Sequence, residues 1–419
     1  MSQFIFTLLG TGGDILPGLR IARELQCRGH NVTVLAPETF AARARADGLA
    51  FVAVEGHDAW TADVSDPAYW GPRGTELGLR EGGYLHRPTQ PTFDFIARHL
   101  DSRPLLVCTR NAYGARFAAE RFGLPCLCLG YSSTQFFDEL RLPYRNHVLR
   151  RTPRWWQVAA VASGDKARDK ALLAPLNRLR ALFALEPVTN FRRWSFFRHP
   201  NLALYPSWYD DVARLAGQGV TQGQFVFAHD ADGGPLAPAL EHFIASGAPP
   251  LVFTFGTGIA HVAERFAAAL ALVEQSNWRA VFVSRFDSNL PPAARSHARV
   301  HTVADADFSA LLPRCAALIH HGGIGTAAQA LRAGIPQVIV PVAYDQPDNG
   351  RRFAELGLAQ VLTRRAVDAH SLGRAVQAAL TRTDHARLAA IGATLRTNNG
   401  AGAAADLCER ANAMPAHVL

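Results

Sequence analysis

The run from residue 317 to residue 357 constrains this chain more than any other. An apolar segment of strand type, Ala317 to Ile319, ends on two histidines, His320 and His321. A glycine turn follows, Gly322-Gly323-Ile324-Gly325. Thr326 then opens a stretch of good helix formers, Ala327 to Ala333, with Gly334 as a natural stop. A second apolar segment, Val338 to Pro341, completes a strand–helix–strand unit and leads into Asp345-Gln346-Pro347-Asp348-Asn349. In open α/β units of this kind ligands collect at the carboxyl ends of the strands.

The chemistry of that rim is readable. Gly322, Gly323 and Gly325 let the backbone approach a ligand without a Cβ in the way. The free N–H groups at a helix start favour an anion, most often a phosphate. Thr326 adds a hydroxyl and His320 a ring donor. Asp345 and Gln346 offer a carboxylate beside an amide, which suits the hydroxyls of a sugar ring. The unit therefore predicts a diphosphate cradle with a sugar clamp next to it.

This ordered set of motifs resembles the donor signature of nucleotide-sugar glycosyltransferases of the GT-B fold, in the family 1 branch. That branch includes antibiotic, macrolide, sterol and plant secondary-metabolite transferases. Its pattern is roughly His-x-Gly-Gly-x-Gly-Thr, a helix, Gly-x-Pro, a strand ending in Pro, then Asp-Gln, and every element stands here in order. A phosphate loop of some unrelated α/β protein would leave the Asp345-Gln346 pair unexplained. Within the family, the runs His320–Gly325, Gly334–Pro341 and Asp345–Asn349 look most similar to bacterial transferases such as the rhamnosyltransferase of rhamnolipid synthesis. The resemblance implies two facing Rossmann-like α/β domains, a cleft between them and a C-terminal helix crossing back. It assigns residues 1–228 to acceptor binding, 229–249 to a linker, 250–395 to the nucleotide-sugar and 396–419 to the returning helix. A length of 419 residues also suits two domains better than one.

The N-terminal half opens in the same style. Gln3 to Leu9 reads as a strand rather than a signal peptide, because no basic n-region or cleavage site accompanies it. Gly10 to Asp14 is a tight turn, Ile15 to Arg28 a helix and Val32 to Leu35 a second strand. A bound NAD is not expected: Ile15 stands where a third glycine belongs, and Ala36-Pro37 brings no acid for a ribose. Related transferases carry a catalytic base three residues before a proline at this turn, and Asp14 stands three before Pro17. The competing reading is that Asp14 only caps the helix. A supporting carboxylate, present in plant members, has no counterpart around Cys108 to Asn111. Asn201 to Tyr205 and Gln224 to Phe227 read as the last strands of this half. The loop-rich stretches 56–95 and 132–200 are the expected acceptor pocket.

For the second half, the resemblance puts Thr257, in the Phe255-Gly256-Thr257 turn, on the diphosphate. It seats the base near Arg285, Val303 and Ala304. Plant members stack the base on a Trp, and none stands here, so uracil and thymine remain open.

Charge is uneven. Residues 141–200 hold 13 Lys and Arg against 3 Asp and Glu, although the whole chain is only +8. Trp155, Trp156, Trp194, Phe196 and Phe197 lie in the same stretch. Three readings compete: a solvated helix face with core aromatics, peripheral contact with an anionic membrane surface, and single-stranded nucleic acid. No nucleic-acid motif accompanies the charge, and no nucleic-acid partner is expected. No apolar run reaches the ~20 residues of a membrane span. The six cysteines lack CxxC spacing and read as buried thiols of a cytoplasmic protein. Asp230-Ala231-Asp232 is a DxD by chance, and no metal or cofactor is expected beyond a UDP- or dTDP-linked sugar as co-substrate.

The sequence thus predicts an inverting, metal-independent transfer of a sugar to a hydroxyl of a small lipophilic acceptor, a hydroxy-lipid or secondary metabolite. The rivals are a nucleotide-sugar epimerase or hydrolase of the same fold, and a non-enzymatic subunit that binds nucleotide-sugar or membrane.

Overall fold

The computed structural model describes residues 1–136, 149–230, 233–256, 258–362 and 367–413. The chain divides into two compact units. One comprises Met1–Ala228 with Asn399–Leu419, the other His229–Asn398.

In the first unit, seven strands are described: β1 (Gln3–Thr7), β2 (Asn31–Pro37), β3 (Ala50–Glu55), β4 (Leu105–Thr109), β5 (Cys126–Gly130), β6 (Asn201–Ala203) and β7 (Val220–Gln222). They pair in the order β3-β2-β1-β4-β5-β6-β7, all parallel. Parallel strands are covered on both faces, which is why β4 and β5 are buried at every residue and carry no polar alternation. The strand order reverses between β1 and β4. Such a switch point leaves a crevice beyond the carboxyl ends of the two strands.

The helix Gly12–Cys27 follows β1 and buries Ile15, Leu19, Ile21, Ala22 and Leu25. Its outer flank is covered by the last helix, Gly400–Ala413, from the far end of the sequence. Arg28 fixes that packing by donating to Asp406 at 2.6 Å and Glu409 at 3.0 Å, and His30 reaches Glu409 at 2.8 Å.

Three expectations need correction. The last strand of the first unit is Val220–Gln222, and residues 224–227 are in no strand. Their backbone is instead crowded by the final helix at Gly400, where a Cβ would collide with the Phe225 carbonyl. The stretch 56–95 is less loop-rich than expected, because the helices His57–Ser65 and Gly74–Leu79 stand in it; the helix Thr89–Ala97 overlaps the one expected near Pro91 to Leu100. Residues 229–249 are not a bare linker, because the helix Pro238–Ala245 sinks Leu240 and Ile244 into the second unit's core beside Val252, Val281 and Leu318.

The second unit has β8 (Leu251–Thr254), β9 (Ala280–Val283), β10 (Val300–Val303), β11 (Ala317–His320), β12 (Gln337–Ile339) and β13 (Gln360–Val361) among the described residues. Their order is β10-β9-β8-β11-β12-β13, again all parallel. Here the switch point falls between β8 and β11. Each sheet therefore puts one of the sequence's two glycine turns at its crevice: the Gly10 turn after β1, and the Gly322 turn after β11.

Candidate active site

His320 ends β11 and is fully buried. Its Nε2 sits 2.9 Å from Gln337 Oε1, and its Nδ1 accepts from the Gly322 N–H at 3.1 Å. These partners fix a neutral ring with the proton on Nε2, and burial lowers its pKa to about 4. Both nitrogens are thus spent inside the unit, shaping the glycine turn. His320 was expected to donate to a diphosphate; as the last residue of a central strand it points inward instead.

The neighbouring His321 is the better candidate. Its ring lies against Gly256 and Gly323, the glycines that follow β8 and β11. Its Nε2 is the ring atom nearest the Cβ position of both. Burial, then the neighbouring His320 and Arg265, lowers its pKa to about 3, so it too is neutral at pH 7. The two adjacent histidines were visible in the sequence, but which one faces the turn was not.

Gly322 adopts φ +94°, and a Cβ there would stand 2.7 Å from Ile339 Cγ2. Only glycine fits. Gly323 is the N-cap of the helix Ile324–Ala333, and no side chain caps the helix start. Its first-turn N–H groups, which lack partners within the helix, are therefore unclaimed by a capping side chain. Around Gly325 there is open space, and the Thr326 hydroxyl has no hydrogen bond among the described residues. Thr257, expected on the diphosphate, lies outside the described residues.

The Asp345–Asn349 segment is tied to this turn. Asn349 donates to the Gly322 carbonyl at 3.0 Å and to Asp345 Oδ2 at 2.9 Å. Gln346 is buried and its Oε1 accepts from Val342 N at 2.8 Å and Ala343 N at 2.9 Å. Its acceptor side is thus used to fold the loop, which leaves the amide NH2 as the part available to a ligand. Sequence reasoning missed Asn349, although it stands in the same motif. Arg265 is buried and donates to the carbonyls of Val340 at 2.6 Å and Pro341 at 3.0 Å, anchoring the same loop from below. Arg285 is exposed beyond β9, while Val303 and Ala304 end β10 and begin the loop after it.

Asp14 stands in the first unit, in the opening turn of the helix after β1. Its Oδ2 accepts from Thr11 N at 2.9 Å and Thr11 Oγ1 at 3.2 Å, a reciprocal capping box with Thr11 as the N-cap. Asp14 is thus not the N-cap itself but the third residue of the helix. Gly10, at φ +131°, leaves room for the carboxylate: a Cβ there would fall 2.5 Å from Asp14 Oδ2. Thr109, at the end of β4, holds the turn through Leu9 N and Leu9 O, both at 3.0 Å.

Next to this turn a cleft is lined by Gly10, Trp60, Val64, Tyr69, Tyr84 and Asn111, with Glu55 and Asp63 at its polar end. Trp60 Nε1 donates to the Gly10 carbonyl at 2.9 Å. Arg87 bridges Glu55 and Asp63. Burial pushes Glu55 up to about 7 in spite of that guanidinium. Of the aromatics in the basic stretch, Trp194 and Phe196 are buried, whereas Trp155 and Trp156 are 66% and 52% exposed at the start of the helix Arg154–Ala181. Residues 141–148 of that stretch lie outside the described residues.

Two parallel sheets, each with a glycine turn at its switch point, one beside a carboxylate and the other beside an uncapped helix start, define a two-site α/β enzyme. Comparison with known proteins gives its family. Residues 4–134 match the N-terminal domain of glycosyltransferase family 28, and residues 280–404 match the C-terminal domain of the erythromycin biosynthesis protein CIII-like family. The chain is 28% identical over 418 residues to glycosyltransferase GtfE of Amycolatopsis orientalis, covering 97% of this chain and 96% of that one. It is 30% identical over 302 residues to glycosyltransferase GtfC of the same organism, 70% of each chain. The fold matches that of the Streptomyces sp. SF2575 glycosyltransferase SsfS6, complexed with thymidine diphosphate, with a TM-score of 0.65 at 17% identity over 98% of this chain and 100% of that one. The chain belongs to the nucleotide-sugar glycosyltransferases of the GT-B fold, family 1 branch.

Proposed function

We propose that this glycosyltransferase moves a sugar from a UDP- or dTDP-linked donor to a hydroxyl of a small lipophilic acceptor, with inversion and without a metal. The observation that carries the donor half is the helix start at Gly323, uncapped and flanked by the Thr326 hydroxyl, the His321 ring and the open space at Gly325. N–H groups aimed at the diphosphate stabilise the charge that grows on it as the glycosidic bond breaks. His321 contributes as a neutral donor, not as a cation, because burial keeps it uncharged. Asp345 and the Gln346 amide orient the sugar, and Arg285, Val303 and Ala304 seat the base.

Asp14 acts as the base. An aspartate is a weak base for an alcohol, so proton transfer accompanies attack of the acceptor oxygen on the anomeric carbon. Trp60, Val64, Tyr69 and Tyr84 beside Gly10 offer apolar and aromatic surface to an acceptor, but the cavity of about 10 Å³ between them has room for no more than a water, so an acceptor body enters only as these side chains move apart. Trp155 and Trp156, with Arg151 and Arg154 beside them, supply peripheral contact with an anionic lipid surface where such acceptors partition.

The test is product analysis with UDP- and dTDP-sugars, a panel of hydroxylated lipids and aromatic metabolites, and EDTA throughout. Acceptor-dependent nucleotide release that survives EDTA and gives a β-linked product from an α-linked donor supports the proposal. Release that needs no acceptor, or retention at the anomeric carbon, contradicts it.

A further inference from the structure

Three thiols of the first unit meet under the helix Tyr113–Phe122. Cys108 lies on β4, Cys126 and Cys128 lie on β5, and the register sets Cys108 opposite Cys128. Cys108 Sγ is 3.7 Å from Cys126 Sγ and 3.8 Å from Cys128 Sγ. All three sulfurs lie within 4.8 Å of one another, and all three residues are buried. They are free thiols, far beyond the ~2.05 Å of a disulfide bond. A tetrahedral Zn²⁺ about 2.3 Å from each sulfur holds its sulfurs roughly 3.8 Å apart. Both spacings fit an edge of that tetrahedron.

Two further groups border the cluster. His199 stands just before β6, and its Nε2 is buried with no hydrogen-bond partner. Buried polar atoms are nearly always satisfied. β5 pairs with β6 through Cys128 and Asn201, and the Cys128 N–H donates to the Pro200 carbonyl at 2.8 Å. Two residues back from that pair stand Cys126 and His199, so strand alternation puts His199 on the face of the cysteines. One helix covers both. Its Ala115, Ala118 and Ala119 pack against the cysteines, and its Arg116 and Glu120 act electrostatically on His199. The Cys128 sulfur and the His199 ring act on each other in the same way.

The second group is Arg116, which is 1% exposed. It donates to the carbonyls of Arg110 at 3.1 Å and Trp194 at 2.6 Å, and no carboxylate pairs with it among the described residues. Arg180, buried nearby, has both oxygens of Glu120. A fully buried arginine ordinarily faces an anion. The positive field of Arg116 falls on Cys126 and Cys128.

We propose that Cys108, Cys126, Cys128 and His199 form a structural zinc site. Each thiol gives its proton to solvent, three thiolates and the neutral His199 Nε2 surround Zn²⁺, and no electrons move. Three thiolates against a divalent ion leave one negative charge, which Arg116 answers. The ion ties β4, β5 and the entry to β6 together, one residue before the Thr109 that holds Leu9. It takes no part in sugar transfer, so the site stands apart from the donor and acceptor readings above. The rival is that the three thiols only pack in the core.

The experiment produces the whole chain in medium supplied with zinc or with cobalt and purifies it under reductant. Metal content, absorption and melting temperature are measured for the wild type, Cys126→Ala, His199→Gln and Cys27→Ala, the last a control at an exposed thiol. The wild type and Cys27→Ala should hold one ion per chain. With cobalt they should show thiolate-to-metal charge transfer in the near ultraviolet and strong tetrahedral d–d bands. Cys126→Ala should lose the ion, and His199→Gln should shift the d–d bands. Zinc should raise the melting temperature of the wild type above that of chelator-stripped protein and leave Cys126→Ala unmoved. No ion in the wild type, no thiolate band, or a metal content unchanged in Cys126→Ala would overturn the proposal. Bands unmoved in His199→Gln would overturn the four-ligand site. The thiolate band of the wild type needs no variant, so it decides even where Cys126→Ala fails to fold.

Discussion

Two glycines three residues apart should respond in opposite ways to the same added methyl. At Gly322 the backbone has φ +94°, and a Cβ would meet Ile339 Cγ2 at 2.7 Å and the Gln346 carbonyl at 3.1 Å. Gly322→Ala therefore suffers a backbone penalty of about 1–2 kcal/mol and an overpacking penalty of about 1–3 kcal/mol. The sum is about 2–5 kcal/mol, which in a unit of this size lowers the melting temperature by roughly 5–15 °C. At Gly325 the Cβ meets nothing within 4 Å, and the residue lies in the first turn of the helix Ile324–Ala333. Gly325→Ala should leave stability unchanged or raise it by about 0.5–1 kcal/mol. If the diphosphate fills that space, the same methyl weakens dTDP binding by at least roughly tenfold, because the ligand must retreat from the helix N–H groups. The assay pairs thermal unfolding with dTDP titration for both variants. Wild-type stability in Gly322→Ala would refute the steric argument, and wild-type dTDP affinity in a stable Gly325→Ala would refute the position of the cradle.

Two further expectations concern burial. His199, His320 and His321 have folded pKa values of about 4, 4 and 3, all below the ordinary 6.5 through burial. The unfolded chain takes up these protons first, so their contribution is present above pH 6.5 and is lost as pH falls toward 4, by up to about 3 kcal/mol each. In NMR titrations of the ring C–H signals, three histidines should stay neutral from pH 7.5 to 5, and titration of all rings near 6.5 would contradict this. Burial opposes ionisation of Glu120, but hydrogen bonds from Arg180 and Trp194 outweigh it and hold its pKa below the carboxylate range. Glu120→Gln strands the buried Arg180 and should cost about 3 kcal/mol in urea unfolding; an unchanged midpoint would show that the pair is not structural.

The fold was legible where periodicity and punctuation agree. The strand–turn–helix runs at Gly10 and Gly322 stand out because a buried parallel strand is a short apolar block and a helix start needs its glycine. Side-chain direction was not legible. His320 and His321 are adjacent letters, yet one turns into the strand interior and the other toward the glycine turn. Gln346 reads as a sugar ligand, but half of its amide is occupied by the backbone of its own loop. Cys126 and Cys128, two residues apart on β5, come together with Cys108 of β4 at 3.7 and 3.8 Å, a cluster that only strand pairing could reveal. The basic stretch left three readings open for a related reason, because a sequence does not tell that Trp194 and Phe196 fill the core while Trp155 and Trp156 are exposed.

The measurement that tests the central claim most directly is acceptor-dependent nucleotide release by Asp14→Asn. Asparagine keeps an oxygen for the Thr11 N–H, so the capping box and the helix start survive the change. The account predicts a loss of transfer of roughly 10²- to 10⁴-fold with dTDP affinity unchanged, the signature of a missing base. Turnover within about threefold of the wild type would contradict the account and leave Asp14 as a helix cap alone.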